Sequence, residues 1–200
     1  MWTLGRVLAG YLRPVEGTVL LGGRPILPAG FRPVPMIHQH PERAVNPRWR
    51  LRQVLEEAGE IDQNLLERLA VHPSWLRRYP HEVSGGEVQR VCIARALSGP
   101  VRHPIADEIT GLLDAITQAQ IFGSLLSIVR ERQIGWLGIS HDLPLLRRVA
   151  DRITDGGKLI GRTGGMSENT MERDNENACS STGQPLSPFY RPVGRYRAPI

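Results

Sequence analysis

Apolar residues recur at helical spacing through most of the first 150 positions of the chain. The clearest case lies within Tyr79–Leu97, where one face of a helix would carry Val88, Val91, Cys92, Arg95 and Ala96. Similar spacing predicts a helix at Thr3–Leu12 and further helices within 51–78. It also predicts a core-facing helix with a stripe made of Ile116, Ala119, Phe122, Leu126 and Val129.

Short apolar runs between these helices are typical of strands. They lie at Thr18–Leu21, Val34–His38 and Ile134–Ile139, and the last reads as a buried strand. A hairpin is predicted within 151–160, around Asp155-Gly156-Gly157. Helices and strands together predict an α/β protein.

The strongest helix is preceded by a Ser-Gly-Gly turn. Ser84 stands at the N-cap position and Glu87 follows three residues later, which is the spacing of a capping box. Gly85 and Gly86 leave the backbone N–H groups of the turn uncovered, and such a helix start suits a phosphate. Taken alone, the turn equally fits an ordinary capped helix.

Composition places the chain among globular proteins. Its 200 residues suffice for one domain with a small lobe, 40% are hydrophobic and 22% charged, and no run of eighteen apolar residues occurs. We expect no signal peptide, and Cys92 and Cys179 predict neither a zinc site nor a disulfide framework. The net charge of +5 comes from scattered arginines, so we expect no nucleic-acid partner.

The string YPHEVSGGEVQRVCIARAL resembles the signature motif of ATP-binding cassette (ABC) ATPases, LSGGQ followed by QR and an ARAL helix. Val83 replaces the usual Leu and Glu87 the usual Gln. Four other family motifs occur in family order: a Q-loop at Gln39, a Walker B end at Ile105–Glu108, a D-loop at Gly111–Asp114 and an H-loop at Ser140–Asp142. The wording HPERAVNPRWRL after Gln39 and EITGLLDAITQAQI is similar to oligopeptide, dipeptide and nickel importers.

The resemblance implies a site for ATP and Mg²⁺. In it, Asp107 and Gln39 would ligate Mg²⁺, Gln39 would also bind the attacking water, and Glu108 would accept that water's proton. His141 would contact the γ-phosphate. The nucleotide-binding residues implied by the family are Thr3, Ser84, Gly85, Gly86, Glu87 and Asp114. Without the resemblance, an adjacent Asp-Glu pair or a lone histidine at a strand end fits a surface or structural role equally well.

The family's phosphate loop, GxxxxGK[ST], has no counterpart in these 200 residues. The resemblance begins at Thr3, and the only lysine is Lys158, which lacks the upstream glycine and the following hydroxyl. The expected fold is therefore a P-loop NTPase-like ABC nucleotide-binding domain that lacks the N-terminal strands and the P-loop. Whether the chain hydrolyses ATP by itself stays open.

The resemblance extends to residue 162. It implies an ABC ATPase domain over 1–162, with a helical subdomain at about 48–85. From 163 to 200 the sequence is polar, and few apolar residues are available to offset the entropy of ordering it. We predict that this tail is disordered.

The implied function is the ATP-binding and ATP-hydrolysing subunit of an importer of peptides or nickel. Such a subunit pairs with a second ABC ATPase subunit on membrane permease subunits, at the cytoplasmic face of the plasma membrane, and a substrate-binding protein delivers the solute. Two alternatives remain. One is a non-transport ABC ATPase of DNA repair or translation. The other is a truncated, non-catalytic cassette that donates its signature turn to a partner.

Overall fold

Helices cover both faces of a short parallel β-sheet in the computed structural model, which describes residues 2–26, 33–101, 103–109, 111, 113–154 and 171–172. The sheet has the order β3 (Met36–Ile37), β4 (Ile105–Asp107), β5 (Leu137–Ile139). Two antiparallel pairs join β1 (Leu20–Leu21) to β2 (Arg24–Pro25) and β6 (Arg152–Ile153) to β7 (Met171–Glu172). The α-helices are α1 (Trp2–Leu8), α2 (Leu51–Glu56), α3 (Gln63–Arg68), α4 (Gly85–Leu97), α5 (Ala115–Glu131) and α6 (Leu143–Val149).

The central strand β4 is fully buried and pairs with a parallel neighbour on each side. Pro104, which has no N–H to donate, lies just before this strand. Its carbonyl still accepts a hydrogen bond from the Leu137 amide at 3.0 Å. The proline therefore keeps one hydrogen bond towards β5 through its carbonyl, although it has no N–H to donate on that side.

The two faces of the sheet bury different helices. Met36 and Ile105 belong to a small core on the α1 side, whereas Ile37 and Ala106 belong to the large core formed with α4 and α5. Gly5 lets α1 approach the sheet, because a Cβ there would lie 2.9 Å from Ile139 Cδ1. Helices on both faces of a parallel sheet confirm the predicted α/β class.

Helix α4 is buried around most of its circumference, unlike the one-sided helix that the sequence predicts. Its buried residues are Val88, Gln89, Arg90, Val91, Cys92, Ile93, Ala94, Ala96 and Leu97. It contacts α2, α3, α5 and β3, so no face of its central turns is left for solvent. The Cys92 thiol lies 3.8 Å from the Pro41 carbonyl, and burial raises its pKa to about 11.

Short helices form the segment between β3 and α4. Besides α2 and α3, it contains 3₁₀ helices at Pro41–Arg43, Pro73–Arg77 and Pro80–Glu82. Each of these three begins with a proline, whose fixed φ suits the first helical position. The segment 48–85 is thus helical where a helical subdomain was expected, but its status as a separate subdomain stays a prediction.

Arg132 ties this helical segment to the end of α4. Its guanidinium donates to the Leu97 carbonyl at 2.7 Å and to the Asp62 carboxylate at 3.0 Å. Asp62 is also the N-cap of α3, where it accepts from the Leu65 amide at 3.1 Å. One arginine therefore joins the C-terminus of one helix to the N-terminus of another.

Several sequence predictions need correction. Helix α1 ends at Leu8 rather than Leu12, since the chain turns at Gly10 with φ 73°. The predicted buried strand at Ile134–Ile139 is only β5, which lies at the sheet edge of the described residues and leaves Leu137 40% exposed. Residues 134–136, the first half of the predicted strand, follow helix α5 and pair with no strand in the described residues.

The predicted stripe of α5 is also wrong in part. Ile116 is 73% exposed, and Ala119 is exposed as well. The helix instead buries Ile121, Phe122, Leu125, Ile128 and Val129. Ile116 lies in the first turn directly after the cap, so it precedes the part of α5 that reaches the core.

The C-terminal predictions fall mostly outside the described residues. In the predicted hairpin, 155–160 is not described, and the partner of β6 is Met171–Glu172. The predicted disordered tail likewise lies outside the described residues, apart from that two-residue strand. No helix in the described part of the chain is long and apolar enough to span a membrane.

Two isoleucines of α5 test this core. Ile121→Ala should lower the free energy of unfolding by about 2–5 kcal/mol, because it opens a cavity at a fully buried side chain. Ile116→Ala removes the same atoms from an exposed position and should change it by less than about 0.5 kcal/mol. Urea unfolding followed by circular dichroism measures both values. Equal losses would contradict the observed orientation of the helix.

Candidate functional site

Three candidate site segments leave adjacent strands at one edge of the sheet. Because Ile37 pairs with Ala106 and Asp107 pairs with Ile139 in parallel register, the chain leaves all three strands in the same direction. Gln39, Glu108 and His141 follow the ends of β3, β4 and β5. Ligands of open α/β sheets bind at the carboxyl ends of strands, so this edge is the place to look for a site.

Glu108 is the best-defined residue of this edge. Its backbone has φ 46°, a left-handed conformation that glutamate rarely adopts. Its amide donates to the Ile139 carbonyl at 2.8 Å, and its own carbonyl accepts from the Gly111 amide at 3.0 Å. Hydrogen bonds on both sides of the residue thus hold the strained turn that directs its side chain away from the strand.

The carboxylate of Glu108 pairs with His141. Glu108 Oε1 and His141 Nδ1 lie 2.8 Å apart, with the glutamate side chain 27% exposed and the imidazole 79% exposed. The hydrogen bond and the negative charge of Glu108 raise the pKa of His141 above its ordinary value. A cavity of about 190 Å³ lies beside the pair, with Phe122 and Trp136 in its wall.

Asp107 precedes Glu108 but occupies a different environment. It is the last residue of β4 and is only 6% exposed. Burial, and then the neighbouring charge of Glu108, raise the pKa of its carboxyl. Asp107 is thus a buried strand residue, whereas Glu108 belongs to the turn that follows the strand.

Gln39 lies close to the D-loop. A Cβ at Gly111 would be 3.6 Å from Gln39 Nε2 and 3.6 Å from the Glu108 carbonyl oxygen, so the three residues are neighbours. The donor set of this edge is carboxylate and amide oxygen, which Mg²⁺ prefers. In the described residues, no group of three or more His, Cys, Asp or Glu side chains could hold a metal ion by itself. The residues therefore fit a Mg²⁺ that arrives with phosphate oxygens and water in its coordination shell.

The Ser-Gly-Gly turn forms a second cluster at the start of α4. Ser84 Oγ accepts from the Glu87 amide at 3.3 Å, and Glu87 Oε2 accepts from the Ser84 amide at 2.7 Å. This confirms the predicted capping box. A Cβ at Gly85 would meet nothing within 4 Å, whereas one at Gly86 would contact Thr117 Cγ2 at 3.4 Å. One side of the turn is therefore open and the other packs against α5.

Asp114 caps α5 beside this turn. It accepts from the Ile116 and Thr117 amides at 3.1 and 3.0 Å and from the Thr117 hydroxyl at 2.7 Å. These hydrogen bonds from Thr117 and Ile116 lower the pKa of the exposed Asp114 carboxyl. Asp114 therefore has a structural role as the N-cap of α5, in addition to any role in binding. Thr3 lies in the first turn of α1 and is exposed.

Comparison with protein families matches residues 3–111 to the family described as ABC transporter. That stretch is more than half of the chain. The chain belongs to the ABC transporter family. The predicted family resemblance is confirmed.

Curated relatives of this ABC chain include importer subunits. It is 37% identical to the putative oligopeptide transport ATP-binding protein YkfD of Bacillus subtilis, over 76% of the chain and 52% of that protein. It is 31% identical to the nickel import ATP-binding protein NikE of Rhodospirillum rubrum, over 96% of the chain and 77% of that protein. The chain spans about half the length of its first two curated relatives, 52% and 56%.

Solved structures confirm the cassette fold. The ABC chain superposes on the ATP-binding cassette MJ0796, described as bound to ADP and Pi, with a TM-score of 0.63 and 21% identity, covering 76% of the chain and 73% of that structure. The cbiO1 protein of Clostridium perfringens superposes with a TM-score of 0.62 and 23% sequence identity. At this identity the likeness concerns the fold alone.

The ABC chain thus gathers its predicted site residues other than Thr3 in two clusters. Gln39, Asp107, Glu108 and His141 lie along the sheet edge, while Ser84–Glu87 and Asp114 lie at the paired helix starts. The motifs did not predict the hydrogen bond between Glu108 and His141. These two residues lie 33 positions apart in the sequence. The motifs also gave no sign that Gln89 and Arg90 are buried, since the helical spacing alone placed them off the core face.

The pair at the sheet edge is open to a direct test. Glu108→Gln should lower the pKa of His141 towards its ordinary value, because it removes the negative charge that favours the imidazolium form. In the parent chain, the pair stabilises the fold at pH below the ordinary histidine pKa and loses this contribution as the pH rises through the raised pKa. NMR titration of the imidazole signals gives the pKa of His141 in the parent chain and in Glu108→Gln. Glu131→Gln, at the far end of α5, is the control, and an unchanged pKa in Glu108→Gln would show that the pair does not form.

Proposed function

We propose that this chain is the ATP-binding subunit of an ABC importer for peptides, nickel or a similar small solute, and that its sheet edge takes part in ATP hydrolysis. The observation that carries the proposal is the Asp107-Glu108 pair at the end of a buried central strand, with Glu108 hydrogen-bonded to His141. The names of the curated relatives support the transport part, since they include oligopeptide, nickel and glutathione import proteins.

Glu108 is suited to act as the general base. Its carboxylate is partly buried, its backbone is fixed on both sides, and it accepts a hydrogen bond from a neighbouring imidazole. A base held in this way can take the proton of a water molecule that attacks phosphorus. His141 orients the carboxylate in this arrangement, and its exposed ring is free to contact a phosphate oxygen as the family resemblance implies.

Asp107 and Gln39 are the proposed Mg²⁺ residues. The buried carboxylate would hold the ion through water, and the amide oxygen of Gln39 would reach it from the neighbouring strand end. Mg²⁺ supplies neutralisation of charge on the phosphate oxygens. The residues of this chain fix where that charge is placed.

The signature turn would serve a nucleotide held by a partner subunit. In the family resemblance, each ATP lies between the phosphate loop of one subunit and the signature turn of the other. The open side of Gly85 and the capped Ser84 leave backbone N–H groups at the start of α4 for an incoming phosphate. This function needs no phosphate loop from the chain itself, so it also fits the alternative of a signature-donating partner.

The assembly that we propose is a dimer of ABC subunits on membrane permease subunits, at the cytoplasmic face of the plasma membrane. A substrate-binding protein would deliver the solute to the permease. The chain would then be a peripheral component that couples ATP hydrolysis to uptake.

Hydrolysis can be tested in a cassette in which residues 3–162 follow a phosphate loop. There Glu108→Gln should lower turnover by about 10²–10⁴-fold and leave ATP binding intact, because it keeps the shape of the side chain but removes the base. Glu131→Gln changes an exposed glutamate at the C-terminal end of α5, outside the proposed site, and should leave turnover unchanged. Single-turnover phosphate release and equilibrium ATP binding measure the two effects. Near-normal turnover in Glu108→Gln would assign the base to another residue.

The signature role can be tested with the 200-residue chain itself. Mixed with an ABC subunit that carries an intact phosphate loop, it should trap one ATP per dimer. Ser84→Arg should abolish trapping, because a long cationic side chain would fill the open turn and remove the cap. Ser74→Arg, which adds the same charge to an exposed 3₁₀ helix, should have no effect. Absence of trapping by the folded parent chain would refute the signature role.

A further inference from the structure

Gln89 is a polar side chain of α4 that reaches the end of β3, next to the candidate Mg²⁺ residue Gln39. It is 1% exposed, and its Nε2 donates to the backbone carbonyl of His38 at 3.4 Å, across 51 positions of the sequence. His38 is the residue directly before Gln39. A buried amide of the signature helix therefore holds the strand end from which the Gln39 side chain departs.

The other atom of the same amide has no partner. In the described residues, Gln89 Oε1 is a buried acceptor without a hydrogen bond. Buried polar atoms are nearly always satisfied, so burying this oxygen unpaired carries a cost that the bond to His38 must offset. The amide cannot simply be turned over, because its oxygen would then face the His38 carbonyl oxygen.

The neighbouring buried residue Arg90 makes hydrogen bonds to two different elements. Its guanidinium, also buried, donates to the Leu69 carbonyl and to Gln120 Oε1, both at 2.9 Å. These bonds tie α4 to the end of α3 and to α5. Arg90 is thus fastened on its side of the helix, whereas Gln89 has one bond made and one acceptor left.

From this contrast we propose that Gln89 is a positioning residue for Gln39. It holds the start of the Gln loop (residues 39–50) to the helix whose N-terminus is the signature turn. The inference deepens the proposed function, because the role of Gln39 rests on it.

The contact has a measurable consequence in the chain without any ligand. The Arg43 and Ala44 amides are protected by hydrogen bonds to the His40 and Pro41 carbonyls at 3.1 and 3.0 Å. Hydrogen–deuterium exchange of residues 39–46 should rise by about threefold or more in Gln89→Met, because the strand end is released and this short 3₁₀ helix opens more often. Met keeps the volume and removes the unpaired Gln89 oxygen, while the His38 carbonyl loses its donor, so the two effects on overall stability oppose each other.

Ile93→Val is the matched control. It alters a fully buried apolar side chain of the same helix and removes no hydrogen bond to the Gln loop, so it should leave exchange of 39–46 unchanged. Gln89→Leu provides a second apolar variant should Gln89→Met fold poorly. Unchanged exchange of 39–46 in both Gln89 variants would overturn the proposal, as would an equal rise in Ile93→Val. Because no nucleotide is involved, either failure would leave the proposed ATPase function untouched.

Discussion

The burial of α4 is the constraint on which the rest of the structure depends. A thirteen-residue helix with nine buried residues needs a cover on every side, and α2, α3, α5 and β3 supply it. Two of the buried residues are polar, so the cover must also provide hydrogen-bond acceptors. The His38 carbonyl does so from the end of β3, and the Leu69 carbonyl from the end of α3. Packing and polar satisfaction thus fix together how the helical segment sits on the sheet.

This arrangement explains why the candidate residues fall into two clusters. The sheet edge is set by parallel register, which brings Gln39, Glu108 and His141 to one side of the molecule. The signature turn is set by α4, whose start lies beside the Asp114 cap of α5.

Local features were predictable from the sequence, and long-range ones were not. The capping box between Ser84 and Glu87 depends on residues three apart, and its spacing was sufficient to predict it. The face of α5 was misjudged because periodicity gives the spacing of a stripe but not where the helix enters the core. The Glu108–His141 bond depends on the register of β4 and β5, which no short motif encodes. The burial of Gln89 depends on a strand 51 residues away.

The left-handed backbone of Glu108 lowers the stability of the fold at the position that carries the proposed general base. A glutamate in this conformation costs about 1–2 kcal/mol that glycine would not, so glycine would relax the turn while removing the carboxylate. β-Branched residues would be worse than glutamate, because their Cβ substituents crowd the same backbone. Substitutions that relieve this strain are thus expected to be enriched at position 108 in a screen for stability alone, and under the proposed function the same substitutions would remove the general base.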